Sequence, residues 1–155
     1  MGVIVVGLDD SPGAQRALEF AVEEARFRKA TLRAVHAWLI PLTIAAPGPM
    51  LGGVPIDYGE TLEEELEAAR SAAEKHLEDL VERVRPDGVE IERVVVEGQP
   101  AKALLEAAAD ADLLVVGSRG RGGFKGLVLG SVSQQCSGHA PCPVVIVPTP
   151  PEEES

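Results

Sequence analysis

Residues 112–131 read DLLVVGSRGRGGFKGLVLGS. Four consecutive aliphatic residues, Leu113 to Val116, form the short unbroken run expected of a strand buried on both faces. From Gly117 to Ser131 there are six glycines, two arginines and a lysine, with no acidic residue. After Ser131 the pattern predicts a short helix to about Gly138. A buried strand that feeds a glycine-rich basic segment, and then a helix N-terminus, is the layout of an anion-binding loop. Glycines let backbone amides approach a ligand without an intervening Cβ. The free N–H groups and the dipole at a helix start favour phosphate.

The rest of the chain repeats the strand-then-helix pattern. Residues 2–8, GVIVVGL, predict a first buried strand. Ser11 and Pro12 then supply an N-cap and a first helical residue. Ala14, Ala17, Leu18, Ala21, Val22 and Ala25 carry the apolar stripe of a helix to about residue 28. TLRAVHAWL, 31–39, is the second strand, and 40–59, with four Pro and four Gly, reads as an irregular surface loop. Thr61 and Glu64 form a capping box, followed by a long helix whose inner face is Leu62, Leu66, Ala69, Ala73, Leu77, Leu80 and Val84. EIERVVVEG, 90–98, is the third strand, and Pro100 opens a helix that turns Ala101, Leu104, Leu105 and Ala108 inward. The last strand lies in PCPVVIVP, entered through Pro141 and Pro143, which suits a sheet rim. This alternation implies an α/β fold: a single doubly wound domain, an open five-stranded parallel sheet with helices on both faces. The domain is expected over 1–148, with 149–155 a disordered acidic tail.

Charge and composition narrow the function. The net charge of −11 excludes general binding to nucleic acid or to anionic membranes. Against that background no Asp or Glu occurs from Leu113 to Pro151, although the 155 residues include 25 acids. The basic side chains Arg119, Arg121 and Lys125 raise the local potential further. Aromatics are 3% of the chain, so the core must be aliphatic. Cys136 and Cys142 make no metal-ligand grouping and read as free thiols in a reducing cytosol. The opening MGVIVVGLDDSP has no basic leader region. It also has Val at position 6, where a myristoylation signal needs Ser or Thr. A soluble, cytoplasmic protein is expected.

The loop is not a Walker A motif, because no Gly-Lys-Ser/Thr follows the first strand. Nor is it a dinucleotide fingerprint, because the first turn reads GLDDSPG. Its spacing is G-x2-G-x9-G-S, through Gly117, Gly120, Gly130 and Ser131. With VGLDDSPGAQRAL, AVHAW and LGSVSQQCSGHAPCPVVIV around it, the chain resembles the ATP-binding branch of the universal stress protein family. The resemblance implies strand order 3-2-1-4-5, a homodimer and an ATP site, with Mg²⁺ a candidate companion of the phosphates. By position, it assigns Asp9 to ribose or adenine, with Gly7 and Leu8 lining the same turn. Ala37 would touch adenine. Val116, Gly117, Gly120, Gly130, Ser131, Val132 and Ser133 would hold ribose and phosphates. Asp10 departs from the usual glycine; it would coordinate Mg²⁺, repel phosphate or simply face solvent, the last being favoured.

No nucleophile-base arrangement is legible. His36 lies in a strand and reads as a hydrogen-bonded structural residue, His76 as an idle surface residue, and His139 as a cation near a helix end. The fifth strand, Val144 to Val147, is a flat aliphatic edge that a second copy of the chain would cover by symmetric pairing. The leading functional expectation is a nucleotide-dependent regulator or sensor in a stress response. The alternatives are a slow ATP hydrolase or phosphoryl-transfer enzyme using the same pocket, and a nucleotide-free dimeric scaffold.

Overall fold

The computed structural model describes residues 2–9, 11–39, 50–51, 54–55, 59–84, 86–118 and 129–149. Strands β1 (Val3–Leu8), β2 (Thr31–Trp38), β3 (Ile91–Glu97), β4 (Leu113–Gly117) and β5 (Val144–Val147) form one sheet. Their order is β3-β2-β1-β4-β5, and every pairing is parallel. The helices between them are α1 (Pro12–Arg28), α2 (Gly59–Arg83), α3 (Pro100–Ala107) and α4 (Ser131–His139).

The side-chain period of two explains why the central strands are aliphatic throughout. On β1, Ile4, Val6 and Leu8 pack with α1 and α2, beside Leu18, Val22, Leu77 and Val81. Val5 faces the other layer, where Leu104 and Ala108 meet Val35, Leu114, Val116 and Cys136 of α4. Among the described residues the buried apolar side chains are Ile, Leu, Val, Ala and Cys, with no aromatic. Both cysteines are free, and burial pushes both thiols above their ordinary value.

Several sequence expectations change in detail. Helix α2 starts at Gly59, so Thr61 lies inside the helix and does not cap it. Its inner face is buried only from Ala73 onward; Leu62 is exposed, and Leu66 and Ala69 are half-buried. On α3 the inward set is Ala101, Ala103 and Leu104, followed by Ala108, while Leu105 is half-buried. Inside the stretch expected to be irregular, Met50–Leu51 and Val54–Pro55 pair as a short antiparallel ladder. His76 is not an idle surface residue. Its ring packs against His36 with centroids 5.4 Å apart, and its Nε2 is shut off from water with no partner among the described residues.

Arg33 ties three elements together toward the amino ends of the strands. From β2 its Nε donates to Glu92 of β3 at 2.8 Å, and its Nη1 donates to Ala107 O at 2.7 Å and to Asp110 at 2.8 Å. The last two contacts close the carboxyl end of α3, where unpaired carbonyls and the dipole favour a cation. The Arg33 hydrogen bond, and then its charge, hold the Asp110 carboxyl below the ordinary carboxylate range. A depressed carboxylate contributes stability above its unfolded value and loses it as pH falls through the folded value. Arg33→Met removes this pairing together with the hydrogen bond to Ala107 O and is expected to lower stability at neutral pH. The gap to the wild type should narrow in acid, as read by urea denaturation at pH 7 and pH 3.

Candidate functional site

The strand order reverses between β1 and β4, since β2 and β3 lie on one side and β5 on the other. At such a point the connections leave in opposite directions and open a crevice beyond the carboxyl ends of the strands. Two chain segments reach it: Leu8 and Asp9 from β1, and Gly117 and Ser118 from β4.

Asp9 is fixed by its own turn. Its Oδ1 accepts from the Ser11 backbone N–H at 2.9 Å and from the Ser11 hydroxyl. Ser11 stands at the N-cap of α1 in extended conformation, yet it makes no side-chain cap; its hydroxyl is given to Asp9 instead. Leu8 buries its side chain in the core, and its carbonyl accepts from His36 Nδ1 at 3.0 Å. A carbonyl cannot donate, so the His36 proton must sit on Nδ1. This is the structural histidine that the sequence suggested, and it pins the end of β1 to β2.

Gly7 is half-buried on β1, and a Cβ there would lie 2.5 Å from Leu104 Cδ1 and 2.8 Å from Cδ2. Helix α3 therefore packs directly against the backbone at this point. Ala37 is half-buried on β2, opposite Val96 of β3. Val116 is 2% exposed and packs in the α3–α4 layer, so its side chain belongs to the core. Gly120, Asp10, Arg119, Arg121 and Lys125 lie outside the described residues.

The junction of β4 and α4 is the best-defined part of the site. The Gly130 N–H donates to Ser118 O at 2.7 Å, which brings the start of α4 against the end of β4. Gly130 is the N-cap residue in extended backbone, with no side-chain cap and no acidic residue in the first turn. The first turn of α4 thus carries no acid of its own to offset the positive end of the helix. Ser131 is exposed and Val132 half-buried at this end.

Ser133 behaves differently from its neighbours. It is 1% exposed, and its hydroxyl lies 2.9 Å from Gly130 O and 3.1 Å from Ser118 O, so it is directed at the protein's own backbone. Ser133 shares the buried face of α4 with Cys136. Ser118 was not among the sequence candidates, yet it is the hub of the junction. It is buried, donates from its N–H to Val147 O at 2.9 Å, and accepts at Oγ from the Thr149 N–H at 3.0 Å. Among the described residues no group of three or more His, Cys, Asp or Glu could hold a metal ion. No described helix is long and apolar enough to cross a membrane.

A family model, the universal stress protein family, matches residues 1–148. A universal stress protein of Mycobacterium tuberculosis is 41% identical over 152 residues, covering 96% of this chain and 45% of that protein. The chain thus spans less than half the length of the curated relatives it matches. A solved universal stress protein in complex with cAMP is 28% identical with a TM-score of 0.63, covering 96% of this chain and 98% of the other. The universal stress protein of Archaeoglobus fulgidus in complex with dAMP is 26% identical with a TM-score of 0.59, covering 95% and 98%. With the sheet order and the β4–α4 junction in place, these matches identify the fold: this chain belongs to the universal stress protein family.

Proposed function

We propose that this chain binds ATP in the crevice between β1 and β4 and acts as a nucleotide-dependent regulator rather than a metabolic enzyme. The observation that carries this reading is the start of α4. It has no side-chain cap and no acid in its first turn, and the Gly130 to Ser118 hydrogen bond holds it beside the end of β4. Such an end fits a phosphate group, because the first amides of a helix have no intrahelical acceptor and its dipole favours an anion. In this reading Ser131 and Val132 contribute backbone amides, Gly117 and Gly130 allow close approach, and Asp9 meets the ribose or adenine. Leu8 and Val116 support the crevice from the core. The cAMP and dAMP complexes of two relatives support an adenine nucleotide as the ligand class. Phosphates bound this way would carry Mg²⁺ as a counter-ion.

Strand β5 ends the sheet on one side, and its residues Val144 to Ile146 are only half-buried. Covering that aliphatic edge with the same strand of a second copy gives a symmetric homodimer, the second part of the proposal. The cytoplasm is the compartment that offers both ATP and reduced thiols.

The test is to denature the protein as isolated and identify any released nucleotide, then titrate the nucleotide-free protein with ATP. Near-stoichiometric adenine nucleotide, or micromolar affinity for ATP, is expected. Neither would overturn the reading in favour of a scaffold. Turnover of Mg²⁺-ATP well above a Gly130→Ala control would replace the regulator with an enzyme.

A further inference from the structure

We propose that Ser133 and Ser118 are positioning residues that tie the helix start of the phosphate site to the end of the sheet. This rests on the nucleotide site proposed above. The geometry begins with the Ser133 hydroxyl, which reaches Ser118 O at 3.1 Å and Gly130 O at 2.9 Å from a position 1% exposed. Both carbonyls already have a backbone donor: Gly130 N–H for Ser118 O at 2.7 Å, and Gln134 N–H for Gly130 O at 3.0 Å. The hydroxyl is therefore not needed to satisfy an orphaned acceptor. What it adds is a side-chain link: from the third residue of α4 it reaches back to the carbonyl at the end of β4, so that the first turn of the helix and the strand end hold one position.

Ser118 extends the same network outward. Its N–H donates to Val147 O, the last residue of β5, at 2.9 Å. Its Oγ accepts from the Thr149 N–H at 3.0 Å and lies 3.4 Å from Thr149 Oγ1. One residue thus joins the end of β4, the first turn of α4 and the exit of the edge strand. Loss of the Ser118 hydroxyl releases only the Thr149 link, because the backbone bonds to Gly130 and Val147 remain.

Calorimetric titration of the full chain with ATP and, separately, with adenosine tests this, using Ser133→Ala and Ser118→Ala. Ser133→Ala is expected to weaken ATP about tenfold, the worth of one amide–phosphate hydrogen bond lost when the first turn of α4 shifts. Adenosine, which has no phosphate, should keep its affinity within about twofold, the scatter normal for a surface change. Ser118→Ala should show the same split at about half the logarithmic size, since of its partners only Thr149 is reached through the side chain. Thermal unfolding without nucleotide should fall by about 2–4 °C for Ser133→Ala, the worth of one buried hydrogen bond, and by less for Ser118→Ala. Unchanged ATP affinity in Ser133→Ala overturns the inference while leaving the nucleotide site standing. An equal loss for ATP and adenosine also overturns it, by reducing both serines to general supports. A wild type that binds neither ligand overturns the functional reading and this inference together.

Discussion

Ser131→Asp is expected to stabilise the nucleotide-free protein and at the same time weaken ATP at least about 100-fold. Ser131 is the exposed first residue of α4, at a helix start with no acid in its first turn. A carboxylate there meets the positive end of the helix, which contributes about 0.3–1 kcal/mol to stability. The same carboxylate takes the amides that a phosphate would use, and adds repulsion. Two unit charges about 4 Å apart interact by roughly 4 kcal/mol at an effective dielectric near 20. Solvent and salt screening reduce this, hence the lower figure. Ser131→Asn separates the two effects, since it keeps polar bulk without charge and should retain most of the affinity. Chemical denaturation reads the first effect and calorimetry the second. Undiminished ATP binding in Ser131→Asp would move the phosphates away from α4.

The second large effect is on stability. Gly7→Ala puts a methyl 2.5 Å from Leu104 Cδ1 and 2.8 Å from Cδ2, closer than unbonded carbons approach. Leu104 is 4% exposed, so it cannot swing into water. Either its rotamer changes inside a packed layer or α3 lifts from β1, at a cost of about 1–3 kcal/mol. For a chain of this length that is a fall of roughly 2–10 °C in melting temperature. Leu104→Ala alone should cost about 2–5 kcal/mol through the cavity it leaves. In the double variant the new methyl occupies part of that cavity. The combined loss should therefore fall short of the sum by about 1 kcal/mol or more. Strict additivity in urea denaturation would mean the two groups do not share the space. The result also bears on the ligand crevice, because the glycine demanded by Leu104 sits two residues before Asp9.

What was legible in the sequence follows from how local each determinant is. Strands β1 and β4 are buried on both faces, so their aliphatic runs announce them without reference to anything distant. The edge position of β5 was readable from Pro141 and Pro143, which cannot donate to a ladder. The start and the packing of α2 were not readable. Its 25 residues span about 38 Å, whereas the eight residues of β2 span only about 26 Å. The helix therefore outruns the sheet, and the periodicity of Leu62, Leu66 and Ala69 cannot say where support ends. Thr61 and Glu64 have the spacing of a capping box, but a cap also needs Thr61 outside the helix, and the chain is already helical there.

The site divides in the same way. The glycine spacing and the cleared acidity pointed to the β4–α4 junction, and the structure brings those two elements together through Gly130 and Ser118. The direction of individual hydroxyls was hidden. Ser131 and Ser133 look equivalent in sequence, yet one is exposed and the other buried against carbonyls fifteen and three residues back. His36 and His76 meet across forty residues through the packing of α2 on β2, which no local pattern encodes.

The most direct measurement follows the backbone amide signals of Ser131 and Val132 by NMR during titration with ATP and with adenosine. The account predicts large, saturable shifts at both with ATP and much smaller ones with adenosine. Amides that stay in place as ATP binds, or that respond equally to adenosine, would contradict it.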